Sequence, residues 1–210
     1  MSHTSISSSL SAKYLPTMIV FDLDDCLWSP EMYTLRYPGP TIPVKGNVEG
    51  FREELVVGMK CPSGPTVQLF KGARDALVEI VTDEKYKDVI IAAASSSEEP
   101  SYSQACLDNL EIIPGVTMRS VFKYDQIGRT GHLTSRKTTH FKHLHDESKV
   151  AYNEMLFFDD CNWGDHVGDV GNVFGVIGQR TPRGMQLDEF HSGLEKYHQI
   201  AKQRIEMANM

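Results

Sequence analysis

Short apolar blocks recur along the chain, and four of them have the length of buried strands rather than helices. The predicted strands are Thr17–Asp22, Asp88–Ala94, Met155–Phe158 and Val173–Ile177, with a further short one at Val121–Tyr124. The helices predicted between and after them are Gly72–Asp83, Ser101–Leu110, Lys137–His145 and Leu187–Met207. Because strands alternate with helices, the pattern predicts an α/β fold with a doubly wound parallel sheet.

The segment between Trp28 and Phe70 has a different pattern. It contains six of the ten prolines of the chain, with several glycines between them. This composition excludes long helices and favours loops with short strands, one of them at Thr66–Phe70. We interpret residues of about 28–70 as a small flap over the strand ends, and we expect no large cap domain.

The length and composition indicate one globular domain, residues 17–210, behind a Ser-rich N-terminal segment. The chain has 210 residues, of which 40% are hydrophobic and 23% are charged. Met1–Pro16 lacks the continuous apolar region of a secretory signal, so we expect a disordered tail. No apolar run has the roughly 18 residues that a membrane helix needs, so no membrane association is expected.

Charge and cysteine content narrow the classes of partner. The net charge of −7 argues against a nucleic-acid-binding surface. The four cysteines form no CxxC pair, which indicates a reducing compartment and favours a cytoplasmic location. We therefore expect no nucleic-acid partner, and we favour a monomer.

Polar clusters directly follow three of the predicted strands. They are Asp22-Leu23-Asp24, Ser95-Ser96-Ser97 and Asp159-Asp160. Ligands of an open parallel sheet bind at the carboxyl ends of its strands, so the clusters are expected to converge on one crevice. Lys137 opens a predicted helix and is expected to point into the same crevice.

The clustered residue types suit phosphoryl transfer. Carboxylates of Asp22, Asp24 and Asp160 would repel one another unless a cation lay between them, and oxygen ligands suit Mg²⁺. One carboxylate can then attack phosphorus, while Mg²⁺ and Lys137 neutralise charge. Asp24 is near enough to protonate the leaving oxygen and then to deprotonate the attacking water, and Ser95 can hold phosphate oxygens.

From Met18 to the C-terminal helix the sequence resembles the haloacid dehalogenase (HAD) superfamily. Asp22-Leu23-Asp24 is similar to its motif one, Ser95 to motif two, Lys137 to motif three and Asp159-Asp160 to motif four. The strings at 21–28, 92–95, 137–141 and 157–160 resemble the small magnesium-dependent phosphatase group, which has no large cap. Two departures are Cys26, where the superfamily commonly has Thr, and Ser96, where the small group often has a substrate-contacting Arg.

The resemblance implies a hydrolase of phosphate monoesters with a HAD-like fold. Its substrates would be phosphotyrosine, including phosphopeptides, or phosphorylated sugars or glycated amines. For the metal, the resemblance implies Asp22, the Asp24 carbonyl and Asp160 as protein ligands of Mg²⁺, with Asp159 and Asp165 supporting the site. For the chemistry, it implies Asp22 as nucleophile and Asp24 as acid and base. For the phosphate, it implies Ser95 with the adjoining Ser96, and Lys137, which would also pair with the nucleophile.

Three rival functions remain open at this point. A receiver-like module uses similar residues to accept a phosphoryl group, but its acidic pair and its phosphoacceptor lie on different strands. The others are an inactive binding protein on the same fold, and a phosphomutase or dehalogenase of the same superfamily.

Several other residues have two possible interpretations. Arg180 and Arg183 either contact an anionic substrate or lie in a solvated loop. Trp28 and Tyr33 either form an aromatic wall for substrate or pack the flap. Cys26 and Cys161 are candidates for a disulfide under oxidation. His140, His143 and His145 are interpreted as structural rather than metal-binding, since no third ligand is evident.

Overall fold

The computed structural model describes residues 14–62 and 64–208. Most of the predicted tail, residues 1–13, lies outside the described part of the chain. At its end, Leu15 already packs against the apolar core and Pro16 is buried. The described fold therefore includes residues before the first strand.

The described residues form two main sheets and six helices. The strands are β1 (Met18–Phe21), β2 (Trp28–Ser29), β3 (Ile42–Gly46), β4 (Leu55–Lys60), β5 (Thr66–Leu69), β6 (Ile90–Ser95), β7 (Glu111–Ile113), β8 (Val116–Thr117), β9 (Phe122–Ile127), β10 (Met155–Asp159) and β11 (Ile177–Arg180). The helices are α1 (Lys71–Thr82), α2 (Pro100–Asn109), α3 (Met118–Val121), α4 (Lys137–Ser148), α5 (His166–Phe174) and α6 (Leu187–Ala208). Single 3₁₀ turns occur at Met32–Thr34, Glu84–Tyr86 and Tyr152–Glu154.

The central sheet is parallel and has five strands in the order β11-β10-β1-β6-β9. Apolar residues cover both of its faces, as the predicted doubly wound fold requires. Ile19 and Phe21 of β1 share an apolar cluster with residues of α1, α2 and α6, whereas Met18 and Val20 pack with residues of α4 and α5. The predicted fold class is confirmed.

The last predicted strand, Val173–Ile177, is wrong in its boundaries. Val173 and Phe174 end α5, Gly175 leaves the helix in a left-handed conformation with φ of 76°, and β11 begins only at Ile177. Glycine commonly ends a helix in this way. The apolar run therefore spans a helix end, a turn and a strand start, and its composition alone resembles one strand.

The flap segment forms an antiparallel sheet in the order β2-β5-β4-β3. Its buried residues Trp28, Met59 and Val67 belong to the same apolar cluster as one face of the central sheet. The strand predicted at Thr66–Phe70 is confirmed as β5, whereas the other three strands were not located within the predicted loops and short strands. Among the described residues, none of the helices combines the length and the apolarity that crossing a bilayer demands.

Candidate active site

Three neighbouring strands bring the predicted polar clusters to one edge of the sheet. β1 lies between β10 and β6, so Asp22, Ser95 and Asp159 follow or end adjacent parallel strands. A cavity of about 560 Å³ opens at this edge, and Asp22, Asp24, Ser95 and Asp160 line it. The carboxyl ends of parallel strands are where ligands of such sheets bind.

Lys137 is a buried cation that joins two of the carboxylates. Its side chain is only 1% exposed, and its Nζ lies 2.5 Å from Asp22 Oδ1 and 3.1 Å from Asp159 Oδ2. The same Nζ donates a hydrogen bond to the Ala94 carbonyl at 2.8 Å. Burial opposes the charge, but the carboxylates of Asp159 and Asp22 outweigh it and raise the pKa of Lys137, so the ammonium is charged.

The buried charged group at and beneath the cavity lining, here called the floor, contains more acidic than basic side chains. One carboxylate oxygen from each of Asp22, Asp159 and Asp160 lies within 4.8 Å of the others, and Lys137 is their adjoining cation. Burial, followed by the charges of Asp22 and Asp159, raises the pKa of Asp160 to about 7. Burial likewise raises the pKa of Asp22, against the opposing effect of Lys137. These three carboxylates can hold a metal ion.

The Asp24 carboxylate points to the flap instead of joining this group. Its Oδ1 accepts a hydrogen bond of 2.7 Å from the Trp28 indole N–H, and its Oδ2 accepts from the Met32 amide at 3.2 Å and the Ser97 hydroxyl at 3.3 Å. Burial raises the pKa of Asp24 to about 7, although the bond from Trp28 opposes the shift. Such a value suits a group that both donates and accepts protons near neutral pH.

The serine cluster is fixed by a buried histidine. Ser95 is 1% exposed at the end of β6, and Ser96 lies beside it on the cavity wall. His140 Nε2 lies 3.2 Å from the Ser95 carbonyl and 3.1 Å from the Gly128 carbonyl. Burial, assisted by the charge of Lys137, lowers the pKa of His140 to about 4, so the neutral ring serves as a structural donor.

Asp165 and Arg180 lie apart from the carboxylate group. The Asp165 carboxylate accepts from the Gly168 amide at the start of α5, and it pairs with Arg180 Nη2 at 2.6 Å. Both side chains are more than half exposed. The structure therefore does not bring Asp165 into the carboxylate group: its Oδ1 accepts from the Gly168 amide and pairs with Arg180.

The two candidate disulfide cysteines are free thiols. Cys26 is buried, and its Sγ lies 3.7 Å from the Phe158 carbonyl and 3.4 Å from the Thr181 hydroxyl. Burial raises the pKa of the Cys161 thiol to about 12. Protonated thiols are poor nucleophiles, so neither cysteine has the environment of a reactive residue.

Comparison with known proteins identifies the family. The model of the family described as Acid Phosphatase matches residues 14–200. This chain belongs to the acid phosphatase family. A curated relative is a HAD-like hydrolase superfamily protein of Schizosaccharomyces pombe, 24% identical over 159 residues that cover 76% of this chain and 84% of the relative. The resemblance to HAD phosphatases is thereby confirmed.

A solved structure shares the fold of this acid phosphatase family chain. It is the N-terminal part of a Bacteroides fragilis protein, which contains a phosphatase domain and was crystallised in complex with Mg. The two match with a TM-score of 0.53 at 15% identity, over 88% of this chain. This chain corresponds to 40% of the length of that structure. At this identity the likeness concerns the fold.

The cavity mouth contains residues that sequence reasoning missed. Arg129 donates to the Ser96 carbonyl at 2.6 Å and pairs with Glu98 at 2.8 Å. Trp163, from the turn after β10, donates its indole N–H to Glu31 of the flap at 2.8 Å. Contacts between such distant segments follow no local pattern, so neither could be read from spacing.

Proposed function

We propose that this chain is a Mg²⁺-dependent phosphatase that hydrolyses phosphate monoesters through a phosphoaspartate on Asp22. The observation that carries the proposal is the buried contact of Lys137 with Asp22 at the floor of an open cavity, beside two further carboxylates. Lys137 engages one oxygen of Asp22. The other oxygen is available to attack phosphorus.

The residues at the floor fit Mg²⁺. Asp22, Asp159 and Asp160 offer hard oxygen ligands, and these three acidic groups adjoin a single basic one, Lys137. The Asp24 carbonyl, two residues after Asp22, is the further oxygen that we assign to the metal. When bound, Mg²⁺ supplies positive charge that neutralises the phosphate and the carboxylates. The Bacteroides fragilis phosphatase domain, solved with Mg, supports the choice of metal.

In the first step an Asp22 oxygen forms a bond to phosphorus while the ester bond to the leaving oxygen breaks. Asp24 transfers its proton to that oxygen, and the alcohol departs. Lys137 remains protonated throughout and lowers the negative charge around Asp22. Ser95, at the end of β6, donates to a phosphate oxygen together with backbone N–H groups of the loop that follows.

In the second step water attacks the phosphorus of the phosphoaspartate. Asp24, now ionised, takes the proton of this water, while the bond between phosphorus and Asp22 breaks. Inorganic phosphate leaves, and Asp22 and Asp24 return to their starting protonation states. The donors from Trp28, Met32 and Ser97 favour the ionised form of Asp24 that this step requires.

The substrates that we propose are aryl phosphates such as phosphotyrosine, alone or in peptides, with phosphorylated sugars or glycated amines as the alternative. The cavity is open enough to admit a leaving group larger than the phosphate. This would make the enzyme an acid or tyrosine-type phosphatase.

The test is hydrolysis of para-nitrophenyl phosphate with Mg²⁺ and with EDTA. We expect Mg²⁺-dependent turnover that disappears in Asp22→Asn. Asp146→Asn is the matched control, because Asp146 pairs with Lys142 on the exposed surface of α4. Turnover that is equal in Asp22→Asn and wild type would refute the nucleophile.

If wild type shows no turnover, acetyl phosphate and mass spectrometry identify the rival. A persistent phosphoaspartate would indicate the receiver-like module. The absence of any phosphoenzyme would indicate a binding protein.

A further inference from the structure

Two exposed aromatic rings stand together at the mouth of the cavity. Tyr33 is 50% exposed and Trp163 is 73% exposed, and both line the cavity. Four other large apolar side chains of the described residues are also exposed, but they do not line it: Tyr37, Ile42, Val173 and Met207. Because exposed rings contribute little to folding, their position at the mouth calls for another explanation.

The pair is held in place from two separate segments. Tyr33 belongs to the 3₁₀ turn of the flap, and Trp163 to the turn between β10 and α5. Their ring centroids are 6.2 Å apart at an angle of 78°, which is a favourable edge-to-face arrangement. The indole N–H of Trp163 is also bonded to Glu31. Ring orientation is thereby set before any ligand arrives.

The charges around the rings are largely engaged with protein partners. Glu31 accepts from the Trp163 indole, and Glu98 is paired with Arg129. These carboxylates are therefore poorly suited to recognise a cationic leaving group. The two rings are the exposed apolar groups that the mouth offers to a ligand whose phosphate lies at Asp22, beside polar lining residues such as Arg136 and His166.

We propose that Tyr33 and Trp163 form an aromatic clamp that selects substrates with a flat aromatic leaving group. This inference rests on the proposed phosphatase function and deepens it. A planar ring stacked on the exposed indole would bury apolar surface that a saturated ring of similar size covers less well. The clamp residues determine specificity and take no part in the chemical steps.

The test compares two phosphonates that differ in one property. Phenylphosphonate and cyclohexylphosphonate have similar size, but one ring is flat and aromatic. Their dissociation constants with the Mg²⁺-loaded protein are measured by calorimetry. We expect wild type to prefer the phenyl compound, and Trp163→Ala to reduce that preference by about 3- to 10-fold, the range of an aromatic contact. Trp163→Phe should retain most of it.

Tyr37→Ala is the matched control, since Tyr37 is an exposed flap aromatic that does not line the cavity. An unchanged preference in both Trp163→Ala and Tyr33→Ala would overturn the clamp. So would equal weakening of both compounds, which indicates a general structural effect.

Turnover of phenyl phosphate by the wild type separates the two proposals. If the wild type hydrolyses phenyl phosphate but Trp163→Ala and Tyr33→Ala keep the preference for phenylphosphonate, the clamp alone is refuted. Phenylphosphonate binding that depends on Trp163 without turnover refutes the phosphatase alone. The absence of both binding and turnover refutes both.

Discussion

The central parallel sheet and the antiparallel flap sheet meet at one cavity, but the side chains that they contribute differ in their exposure to solvent. The central sheet and helix α4 supply buried charges: Asp22, Lys137 and Asp159 are each less than 10% exposed. The flap supplies half-exposed groups such as Glu31 and Tyr33. Charges interact strongly only where water is excluded, whereas selection among ligands requires groups that a ligand can reach.

Trp28 connects the two regions. It belongs to the flap sheet and is fully buried, yet its indole N–H bonds to the carboxylate of Asp24 at the edge of the central sheet. The flap thus has two functions in our proposal: its exposed Tyr33 contributes one ring of the clamp, and its buried tryptophan orients the proton donor. The following changes separate these contributions.

The largest effect is expected for Asp24→Asn, which removes the proton donor from the leaving group. Turnover of an alkyl phosphate should fall by about 10³-fold, within the range of general acid–base catalysis. Turnover of para-nitrophenyl phosphate should fall less in the first step, because that leaving group needs little protonation. Pre-steady-state kinetics with both esters provides the measurement. Equal losses in the step that releases the alcohol would contradict the role of Asp24 as acid.

Lys137→Met tests the buried charge that the central sheet supplies. The variant keeps a side chain of similar length but leaves Asp22 and Asp159 without their cation. We expect kcat to fall by about 10²- to 10³-fold through lost charge stabilisation. We also expect the unfolding free energy in EDTA to fall by about 3 kcal/mol, as for other broken buried pairs.

Denaturant unfolding and steady-state kinetics together check the Lys137 prediction. Lys142→Met is the matched control, because Lys142 lies on the same helix in an exposed pair with Asp146. If Lys137→Met kept the turnover of the control, Lys137 would have no part in catalysis.

His140, which bonds to the end of a central strand, gives the protein a pH dependence of stability. Its pKa is about 4 in the folded state and about 6.5 when unfolded, so the unfolded state binds the proton more tightly between these values. This stability is present above pH 6.5 and is lost as the pH falls towards 4. The neutral His140 ring contributes about 3 kcal/mol in total to the free energy of unfolding.

The measurement is the unfolding free energy at pH 7 and pH 5 for His140→Gln and wild type. The wild type should lose more stability on acidification than the variant. His143→Gln, at a partly exposed position on the same helix, is the matched control. Identical pH dependence in wild type and His140→Gln would exclude this account of the buried ring.

The sequence predicted the central sheet well because its strands are buried on both faces and read as continuous apolar runs. The polar residues that end these runs lie on adjacent strands, so their convergence also followed from topology. The exception was Val173–Ile177, where an apolar helix end runs into a strand across Gly175. Local composition cannot distinguish these two states over five residues.

The flap and the cavity mouth were less predictable because long-range contacts determine them. Prolines and glycines indicated short elements, but they did not indicate the strand pairing. The bond from Trp163 to Glu31 joins residues 132 positions apart. Asp165 is a related case: its nearness to motif four suggested that it supports the metal site, whereas its Oδ1 contacts Arg180 and the Gly168 amide at the start of α5.

The smallest effect on turnover is expected for Trp28→Phe, which keeps a buried ring and removes the donor to Asp24. Asp24 Oδ1 would lose its shortest hydrogen bond, while Met32 and Ser97 would still hold Oδ2. We therefore expect about a 10-fold loss for alkyl phosphates, near the factor that one hydrogen bond to a charged group contributes. The loss for para-nitrophenyl phosphate should be smaller, following the pattern of Asp24→Asn.

This pattern distinguishes orientation of Asp24 from loss of packing. Phe190→Leu removes volume from the same apolar cluster without touching Asp24, so its effect on the two esters should be equal. If Trp28→Phe also affected both esters equally, the buried part of the flap would only pack the core. A loss confined to the alkyl ester would mean that the buried part of the flap orients Asp24 for protonation of the leaving group.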